Sequence, residues 1–287
     1  MSLTIVIVTF KSQHLIIDLL KSIPKKYKVL IIENSKDLGL KTKIESNFNN
    51  VKVHIPKENL GYAGGINYGV NIASTKYVFC LVADVIFESQ TFYLLEEIVK
   101  KIDFTIIAPT FKDESVYKNY IEHEDKNFKP FEIEDFQILQ VKEVDGAAFI
   151  VNKNKFKDNI MDDKIFMYFE NTDMCFNILK NGGKIFALLN LKFDHLGLQS
   201  SEEKYMLEIR KNRNWHYCWS KFYFYKKNYN YFYALSKITP NFLRALNTLI
   251  KASIKRDMKT YLNSKAEISG IINSVLNKKS SYRPKIF

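Results

Sequence analysis

The first 111 residues alternate between short apolar runs and segments in which apolar residues recur at helical spacing. Apolar runs rich in β-branched residues, such as 3–10 and 28–35, are typical of buried parallel strands. Strands that alternate with helices along a chain predict a doubly wound, mostly parallel α/β sheet. The other strands predicted here are 51–56, 77–82 and 104–111, and the helices are 12–23, 40–48, 66–74 and 89–102.

The segment from Asn59 to Phe87 combines a glycine-rich stretch with an apolar strand that ends on a carboxylate. Clustered glycines let the backbone turn sharply and approach a ligand closely, because no Cβ is in the way. Asp84 follows the predicted strand 77–82, at the sheet edge where open α/β folds bind ligands. The combination indicates a phosphate-bearing ligand with a metal ion at Asp84. The alternative is a surface turn between a helix and a buried strand. The glycines concerned are Gly61, Gly64, Gly65 and Gly69.

Charge is distributed unevenly along the chain. Residues 1–200 hold 25 Lys and Arg against 26 Asp and Glu, whereas residues 201–287 hold 18 against 5. The last third is also aromatic, as in WHYCWSKFYFYKKNYNYFY at 215–233, and predicts amphipathic helices interrupted at Pro240. A basic and aromatic region suits an anionic surface, either membrane headgroups or nucleic acid. The alternative is a solvated helix pair whose lysines aid solubility.

The cysteines and the apolar runs indicate the compartment. Cys80, Cys175 and Cys218 are odd in number and widely spaced. This pattern argues against a disulfide framework or a zinc site, and for a reducing environment. The sequence has no run of eighteen apolar residues and no basic, apolar signal pattern after Met1. A cytoplasmic location is therefore expected.

Polar residues follow most of the predicted strands. In the second half of the body, 141–156 and 184–197 predict strands, and 112–140 predicts a variable loop or short hairpin. Residues 164–183 predict an apolar run and then a helix that ends at Gly182-Gly183. In a parallel sheet the strand ends meet at one edge, where a nucleotide, a metal and a general base would be assembled. The residues at these ends are Thr9, Glu33-Asn34, Asp84, Asp145-Gly146, Glu170 to Asp173, and His195.

Eight motifs occur in an order that resembles the inverting glycosyltransferases of family 2, which have the GT-A fold. The nearest resemblance is to rhamnosyltransferase-like bacterial members, and it covers roughly residues 3–200. The resemblance implies a nucleotide-sugar-binding catalytic domain over 1–200, followed by a basic, aromatic-rich helical region over 201–287. The motifs are IVIVTFKS (5–12), IIENS (31–35), NLGYAGGINYG (59–69), LVADV (81–85), VDGAAFIV (144–151), FMYFENTDMCF (166–176), Gly182-Gly183 and DHLGLQS (194–200).

The resemblance also implies roles for individual residues on the donor side. Thr9 and Phe10 would hold the base of the donor, and Glu33, where the family more often has Asp, would bond the base or ribose. Asp84 would bind the metal as part of a DxD-like motif, and His195 would complete the metal shell. Four residues would form the pocket beside the nucleotide: Asn59, Gly61, Gly64 and Asn67. Two would leave room for the sugar and the acceptor: Gly146 and Ala147.

The chemistry of such a donor explains these residue types. A nucleoside diphosphate develops negative charge as it leaves the sugar, and a hard divalent cation, Mn²⁺ or Mg²⁺, stabilises that charge. Inversion also needs one base that removes the proton of the acceptor hydroxyl on the opposite face. The resemblance implies a dTDP-sugar or UDP-sugar as the donor.

Two positions depart from the family pattern. The DxD-like site reads Val82-Ala83-Asp84, so it has one carboxylate, and metal binding should rely on the phosphates of the donor. Asn171 stands where the family usually has the catalytic carboxylate, and an amide does not accept a proton at neutral pH. Asp173, ahead of Glu170, is then the expected base, since neighbouring carboxylates raise one pKa. The alternative is a charge cluster that complements a helix N-terminus.

The expected function is transfer of a sugar, with rhamnose or another hexose as the first guess, to a hydroxyl of a lipid-linked or polysaccharide acceptor. This would serve O-antigen or capsule synthesis at the inner face of the cell membrane, with peripheral contact to anionic lipid. A second copy of the chain is a further candidate partner. One alternative is a weakened nucleotide-sugar-binding relative that lost its base at Asn171. A nucleic-acid-binding module fits poorly, because residues 1–200 are not basic and carry no groove-reading motif.

Overall fold

The computed structural model describes residues 3–114, 117–196 and 203–284. The chain divides into two compact units. The first comprises Met1–Met161 and Asn171–Ser201, and the second comprises Asp162–Glu170 and Glu202–Phe287. The sequence placed the division near residue 200. In the structure the short segment Asp162–Glu170 clusters with the C-terminal region instead of the body.

The first unit is built on one large sheet with flanking helices. Its described strands are β1 (Leu3–Thr9), β2 (Lys28–Glu33), β3 (Val51–His54), β4 (Tyr77–Val82), β5 (Val85–Ile86), β6 (Ile106–Phe111), β7 (Tyr120–Glu122), β8 (Phe131–Ile133), β9 (Phe136–Val144), β10 (Ala148–Asn152) and β11 (Ile185–His195). The helices are α1 (Gln13–Ser22), α2 (Leu38–Asn47), α3 (Gly61–Ile72), α4 (Ser89–Ile98) and α5 (Glu170–Lys180), whose first residue belongs to the second unit.

The sheet has the strand order β3-β2-β1-β4-β10-β6-β11-β9-β7. Strand β1 pairs in parallel with β2 and β4, β2 with β3, and β6 with β11. Because β10 is antiparallel to both β4 and β6, strands β6 and β11 run in the same direction as β1 to β4, and the predicted mostly parallel α/β sheet is confirmed. Alternate residues of β1 enter two separate cores: Ile5 and Ile7 pack on one face, and Val6 packs on the other.

Two predicted elements differ from the structure. The predicted strand 141–156 is two antiparallel strands, because the chain turns at 145–147 between β9 and β10. The region 112–140, predicted as a loop or hairpin, contributes β7, β8 and the start of β9 to the sheet edge. Their short, partly exposed strands lack the apolar runs that mark the central strands.

The glycine-rich segment is mostly helix, since α3 begins at Gly61 and not near residue 66 as predicted. Two of its glycines are required by packing against β1. A Cβ at Gly69 would lie 2.3 Å from Val6 Cγ1, and one at Gly65 would lie 2.9 Å from Val8 Cγ1. These two glycines therefore bring a helix close to a strand.

The second unit contains three described α-helices, α6 (Met206–Asn228), α7 (Tyr231–Lys255) and α8 (Met258–Val275). Phe222, Ile238 and Ile271 form one of its cores. The predicted break at Pro240 is wrong, because α7 runs through the proline without interruption. The packing of Ile238 and of Ala245 on either side holds the helix where a proline alone would favour a kink. Among the described helices, none is long and apolar enough to span a membrane.

The contact between α3 and β1 generates a testable prediction. Replacing Gly69 with alanine should destabilise the protein by about 1–3 kcal/mol, because the new methyl group overlaps Val6, a side chain with little rotamer freedom. Urea unfolding measures the change. The control is Gly39→Ala in the exposed first turn of α2, which should be neutral or slightly stabilising. Equal stability of the two variants would contradict the packing account.

Candidate functional site

Asp84 and His195 lie side by side at the carboxyl ends of their strands. The short strand β5 follows Asp84 and pairs antiparallel with the end of β11, with Val85 opposite His195. This pairing places His195 Nε2 3.6 Å from Asp84 Oδ1. The amide of Leu196 also donates to the carbonyl oxygen of Asp84 over 2.9 Å. The structure thus brings together the two residues that the sequence assigned to a metal.

Asp145 interacts electrostatically with both members of this pair. Burial lowers the pKa of His195, but the interaction with Asp84 and the charge of Asp145 outweigh it, so the pKa of His195 is raised. The pKa of Asp145 is also raised, mainly by burial and additionally by the charge of Asp84. Asp145 Oδ1 accepts a hydrogen bond from the Ala147 amide over 2.7 Å, which fixes the turn between β9 and β10.

The donor set of this cluster fits a divalent cation held by few protein groups. One carboxylate oxygen of Asp84 and one imidazole nitrogen of His195 are close enough to share an ion, and both are ordinary ligands for Mn²⁺. In the described ranges, no group of three or more His, Cys, Asp or Glu side chains is arranged to hold a metal. An ion here would need further oxygen ligands from a bound molecule, as expected from the single carboxylate in the DxD-like motif.

Asn34 fixes the loop that enters α3. Its side-chain Nδ2 donates to the Gly61 carbonyl over 3.0 Å, and its Oδ1 accepts from the Leu60 amide over 3.1 Å. Asn59 Oδ1 accepts from the Gly61 amide over 2.9 Å, and Gly61 has a φ of 73°. Hydrogen bonds from the side chains of Asn34 and Asn59 therefore fix the conformation of the loop next to β1. Gly61 occupies the position with left-handed backbone, which glycine adopts without steric cost.

Two other residues assigned to the donor pocket have structural partners. Both carboxylate oxygens of Glu33 accept hydrogen bonds from the following turn, one from the Ser35 amide and one from the Asp37 amide. Asn67 exchanges two hydrogen bonds with the backbone of Met161, at 2.9 and 3.0 Å. These contacts explain why both polar side chains are buried, and their contact with a donor stays a prediction.

The remaining predicted donor residues lie at the same side of the sheet. Thr9 ends β1, and its buried Oγ1 has no hydrogen-bond partner in the described part of the chain. Phe10 follows, half-buried, and its carbonyl accepts from Ser12 Oγ. Gly64 lies in the first turns of α3, where a Cβ would lie 3.1 Å from Leu60 Cβ. Their binding roles stay predictions.

The acidic motif occupies the start of α5. Asp173 is 1% exposed, and its Oδ2 accepts from Asn177 Nδ2 over 3.1 Å. Glu170 is also buried and belongs to the second unit. Asn171 Nδ2 donates to Glu143 Oε1 and to the Val144 carbonyl, both over 3.2 Å. The position that should carry the base therefore contacts a carboxylate from another element.

Glu143 is the residue of this region that sequence reasoning missed. It is the penultimate residue of β9, next to Val144. In addition to Asn171 it contacts Thr172, whose Oγ1 donates to Glu143 Oε1 over 2.6 Å. One signal was available: Glu143 and Asp145 are two residues apart at a strand end, and such residues share a face of the strand. The contact with α5 was not visible, because it joins residues 28 and 29 apart in sequence.

Comparison with known proteins identifies the class. The sequence matches the family model for glycosyl transferase family 2 over residues 4–159, more than half of the chain, and the chain belongs to that family. No curated protein sequence matches it. The family and the sheet architecture together define a GT-A-like glycosyltransferase fold.

Solved structures of glycosyltransferases have the same fold at low sequence identity. The mannosyltransferase PcManGT from Pyrobaculum calidifontis, in complex with GDP-Man and Mn²⁺, has a TM-score of 0.57 at 11% identity and covers 97% of this chain and 88% of its own. GalNAc-T7 with UDP, GalNAc and Mn²⁺ scores 0.55 at 14% identity, covering 84% of this chain, which spans only 57% of that protein. TarS 1–349 from S. aureus scores 0.51 at 13% identity, covering 99% and 93%.

Proposed function

We propose that this protein transfers a sugar, with inversion, from a nucleoside diphosphate donor to a hydroxyl group of a glycan acceptor. The observation that carries the proposal is the pair formed by Asp84 and His195 at the carboxyl edge of the sheet, 3.6 Å apart. Open α/β sheets bind ligands at this edge. Family membership supplies the reaction class.

In this proposal the loop at Asn59–Gly61 and the end of β1 position the nucleotide, while Asp84 and His195 hold a divalent cation against its diphosphate. The cation, when bound, stabilises the negative charge of the departing diphosphate. PcManGT and GalNAc-T7 were both crystallised with Mn²⁺ and a nucleotide or nucleotide-sugar, which supports a metal-assisted reaction here. A UDP-sugar or a dTDP-sugar is the proposed donor.

The identity of the sugar and of the acceptor rests on the family resemblance alone. Rhamnose or another hexose is the proposed sugar, and a lipid-linked or polysaccharide hydroxyl of an O-antigen or capsule is the proposed acceptor. Asp173 and Glu170 are the bases that the sequence proposes. Asp173 is 1% exposed, which argues against direct contact between its carboxylate and an acceptor hydroxyl.

A second candidate function is binding of a nucleotide-sugar without efficient transfer. Asn171 favours it, because this amide stands where the family usually supplies the base, and an amide does not accept a proton at neutral pH. The two functions share the donor site and differ in turnover.

Nucleotide binding and turnover can be measured with the full chain. In the wild type, Mn²⁺ should strengthen binding of UDP or dTDP in calorimetry, and a panel of UDP-, dTDP- and GDP-sugars should contain at least one that releases its nucleotide. Asp84→Asn should weaken the Mn²⁺-dependent binding by about tenfold or more, since even outer partners of a metal site contribute about 10–100-fold.

The matched control is Asp194→Asn. This variant removes the same charge next to His195, but from a carboxylate that pairs with Lys112 over 3.1 Å. It should retain the metal-dependent affinity. If Asp84→Asn binds as tightly as the control, the donor site is misplaced. If a nucleotide-sugar binds and none turns over, the second function is correct.

The end of α7 supports peripheral contact with an anionic membrane, which we also propose. We define the α7 tip as Ile250, Ile254 and Met258 together with the cations Lys251, Lys255, Arg256 and Lys259. The three apolar side chains are 50%, 78% and 65% exposed. Exposed apolar residues ringed by cations suit the headgroup region of anionic lipid, and each cation contributes about 1 kcal/mol there.

Vesicle co-sedimentation tests this surface. The full chain should bind vesicles of phosphatidylcholine with phosphatidylglycerol and not vesicles of phosphatidylcholine alone. Lys251→Glu with Lys255→Glu should reduce the bound fraction by about tenfold or more, because two attractive charges become repulsive. The control, Lys126→Glu with Lys129→Glu, makes the same charge change at exposed sites in the first unit. Equal vesicle binding by both double variants would contradict the proposal. If light scattering instead shows a dimer that Ile254→Asn abolishes, the α7 tip binds a second copy of the chain.

A further inference from the structure

We propose that Glu143 is the catalytic base, and that Asn171 and Thr172 position it. This inference rests on the proposed sugar transfer, and it moves the base from α5, where the family motif places it, to the end of β9. The geometry points to it because Glu143 is the carboxylate in direct contact with the side chain at position 171.

One carboxylate oxygen of Glu143 is held and the other is available. Oε1 accepts from Thr172 Oγ1 over 2.6 Å and from Asn171 Nδ2 over 3.2 Å. Oε2 accepts no hydrogen bond from any residue that the structure describes. The side chain is half-buried, whereas Asp173 is almost fully buried. Oε2 is therefore the oxygen of Glu143 that would accept the proton of an acceptor hydroxyl.

The surroundings of Glu143 raise its pKa above the ordinary value of a glutamate, which strengthens it as a base. Burial raises the pKa of Glu143, the negative charge of Asp145 raises it further, and the Thr172 hydroxyl and Lys142 lower it, with a net shift upward. From α5, the other titratable group that faces it is the buried thiol of Cys175, whose own pKa is raised to about 12. Across the strand pair the opposite residue on β7 is Ile121, which carries no charge.

Asn171 is explained by the same arrangement. An aspartate at position 171 would set a second carboxylate about 3 Å from Glu143 Oε1, and the repulsion between the two charges would disfavour ionisation of both groups. The asparagine instead donates a hydrogen bond that stabilises the charged form of Glu143. The amide at 171 and the acid at 143 together place one carboxylate in the region where the family usually has one.

The proposed step is balanced without a further reagent. The acceptor oxygen forms a bond to the anomeric carbon of the donor as its proton passes to Glu143 Oε2. The bond between the anomeric carbon and the diphosphate oxygen breaks, and its electron pair leaves with the nucleoside diphosphate. The products are the inverted glycoside, the nucleoside diphosphate and a protonated Glu143, which then loses its proton to solvent.

The test exchanges the acid and the amide. With Mn²⁺ and the nucleotide-sugar that the wild type turns over, Glu143→Gln should lower kcat by about 10²–10⁴-fold while UDP binding is retained. The double variant Glu143→Gln with Asn171→Asp should have a kcat at least about tenfold higher than Glu143→Gln alone, since a carboxylate returns at the adjacent position 171. Glu122→Gln is the control, because this exposed acid on β7 pairs with Lys118 and should leave kcat unchanged.

A pH profile separates a base from a structural residue. The acidic limb of kcat reports deprotonation of Glu143, so activity should rise with pH through its pKa. Thr172→Val removes a hydrogen bond that lowers this pKa, and the limb should move to higher pH. Melting temperatures and UDP affinities establish that each variant is folded.

Each failure has its own signature. Unchanged kcat in Glu143→Gln, loss without recovery in the double variant, or an unmoved limb in Thr172→Val would each overturn the role of Glu143 and leave sugar transfer intact. A wild type that binds UDP with Mn²⁺ and releases nucleotide from no donor would overturn both transfer and the base. A wild type that binds no nucleotide would overturn the donor site itself and, with it, this inference.

Discussion

The pairing of β5 with β11 is the constraint on which the candidate site depends. This two-residue strand turns the chain immediately after Asp84 and sets Val85 opposite His195. Without it, the ends of β4 and β11 would be separated by the strands β10 and β6. The pairing therefore brings together two strand ends that are distant in the sheet order, and the side chains of Asp84 and His195 interact there.

Electrostatic interactions continue from Asp84 and His195 along the sheet edge to Asp145, in the turn after β9. Burial is the main cause of the raised pKa values of Glu143 and Asp145, and the negative charge of Asp145 additionally raises the pKa values of Glu143 and His195. Crowded, buried carboxylates destabilise the folded protein unless a cation offsets their charge. Groups with such raised pKa values cluster at functional sites. A donor diphosphate with its metal ion at one end, and a base at the other, would account for the whole arrangement.

The sequence predicted the fold well because its signals are local. Apolar runs, helical spacing and Gly182-Gly183 mark elements without reference to the rest of the chain, and the motif order indicated the family. The failures have non-local causes. The glycines at 65 and 69 serve the contact with β1, Pro240 lies in a helix stabilised by its packing, and the Glu143 contact joins β9 to α5. The hydrophobic periodicity of one segment does not indicate which other segment it packs against.

The central claim is that a nucleoside diphosphate binds at the edge formed by β1, β4 and β11, with its metal ion on Asp84. A crystal structure with UDP and Mn²⁺ tests it most directly, because manganese is located by its anomalous scattering. The account predicts an anomalous peak adjacent to the carboxylate of Asp84 and the imidazole of His195, with the uracil near Thr9. A peak elsewhere, or a nucleotide bound only to the second unit, would contradict it.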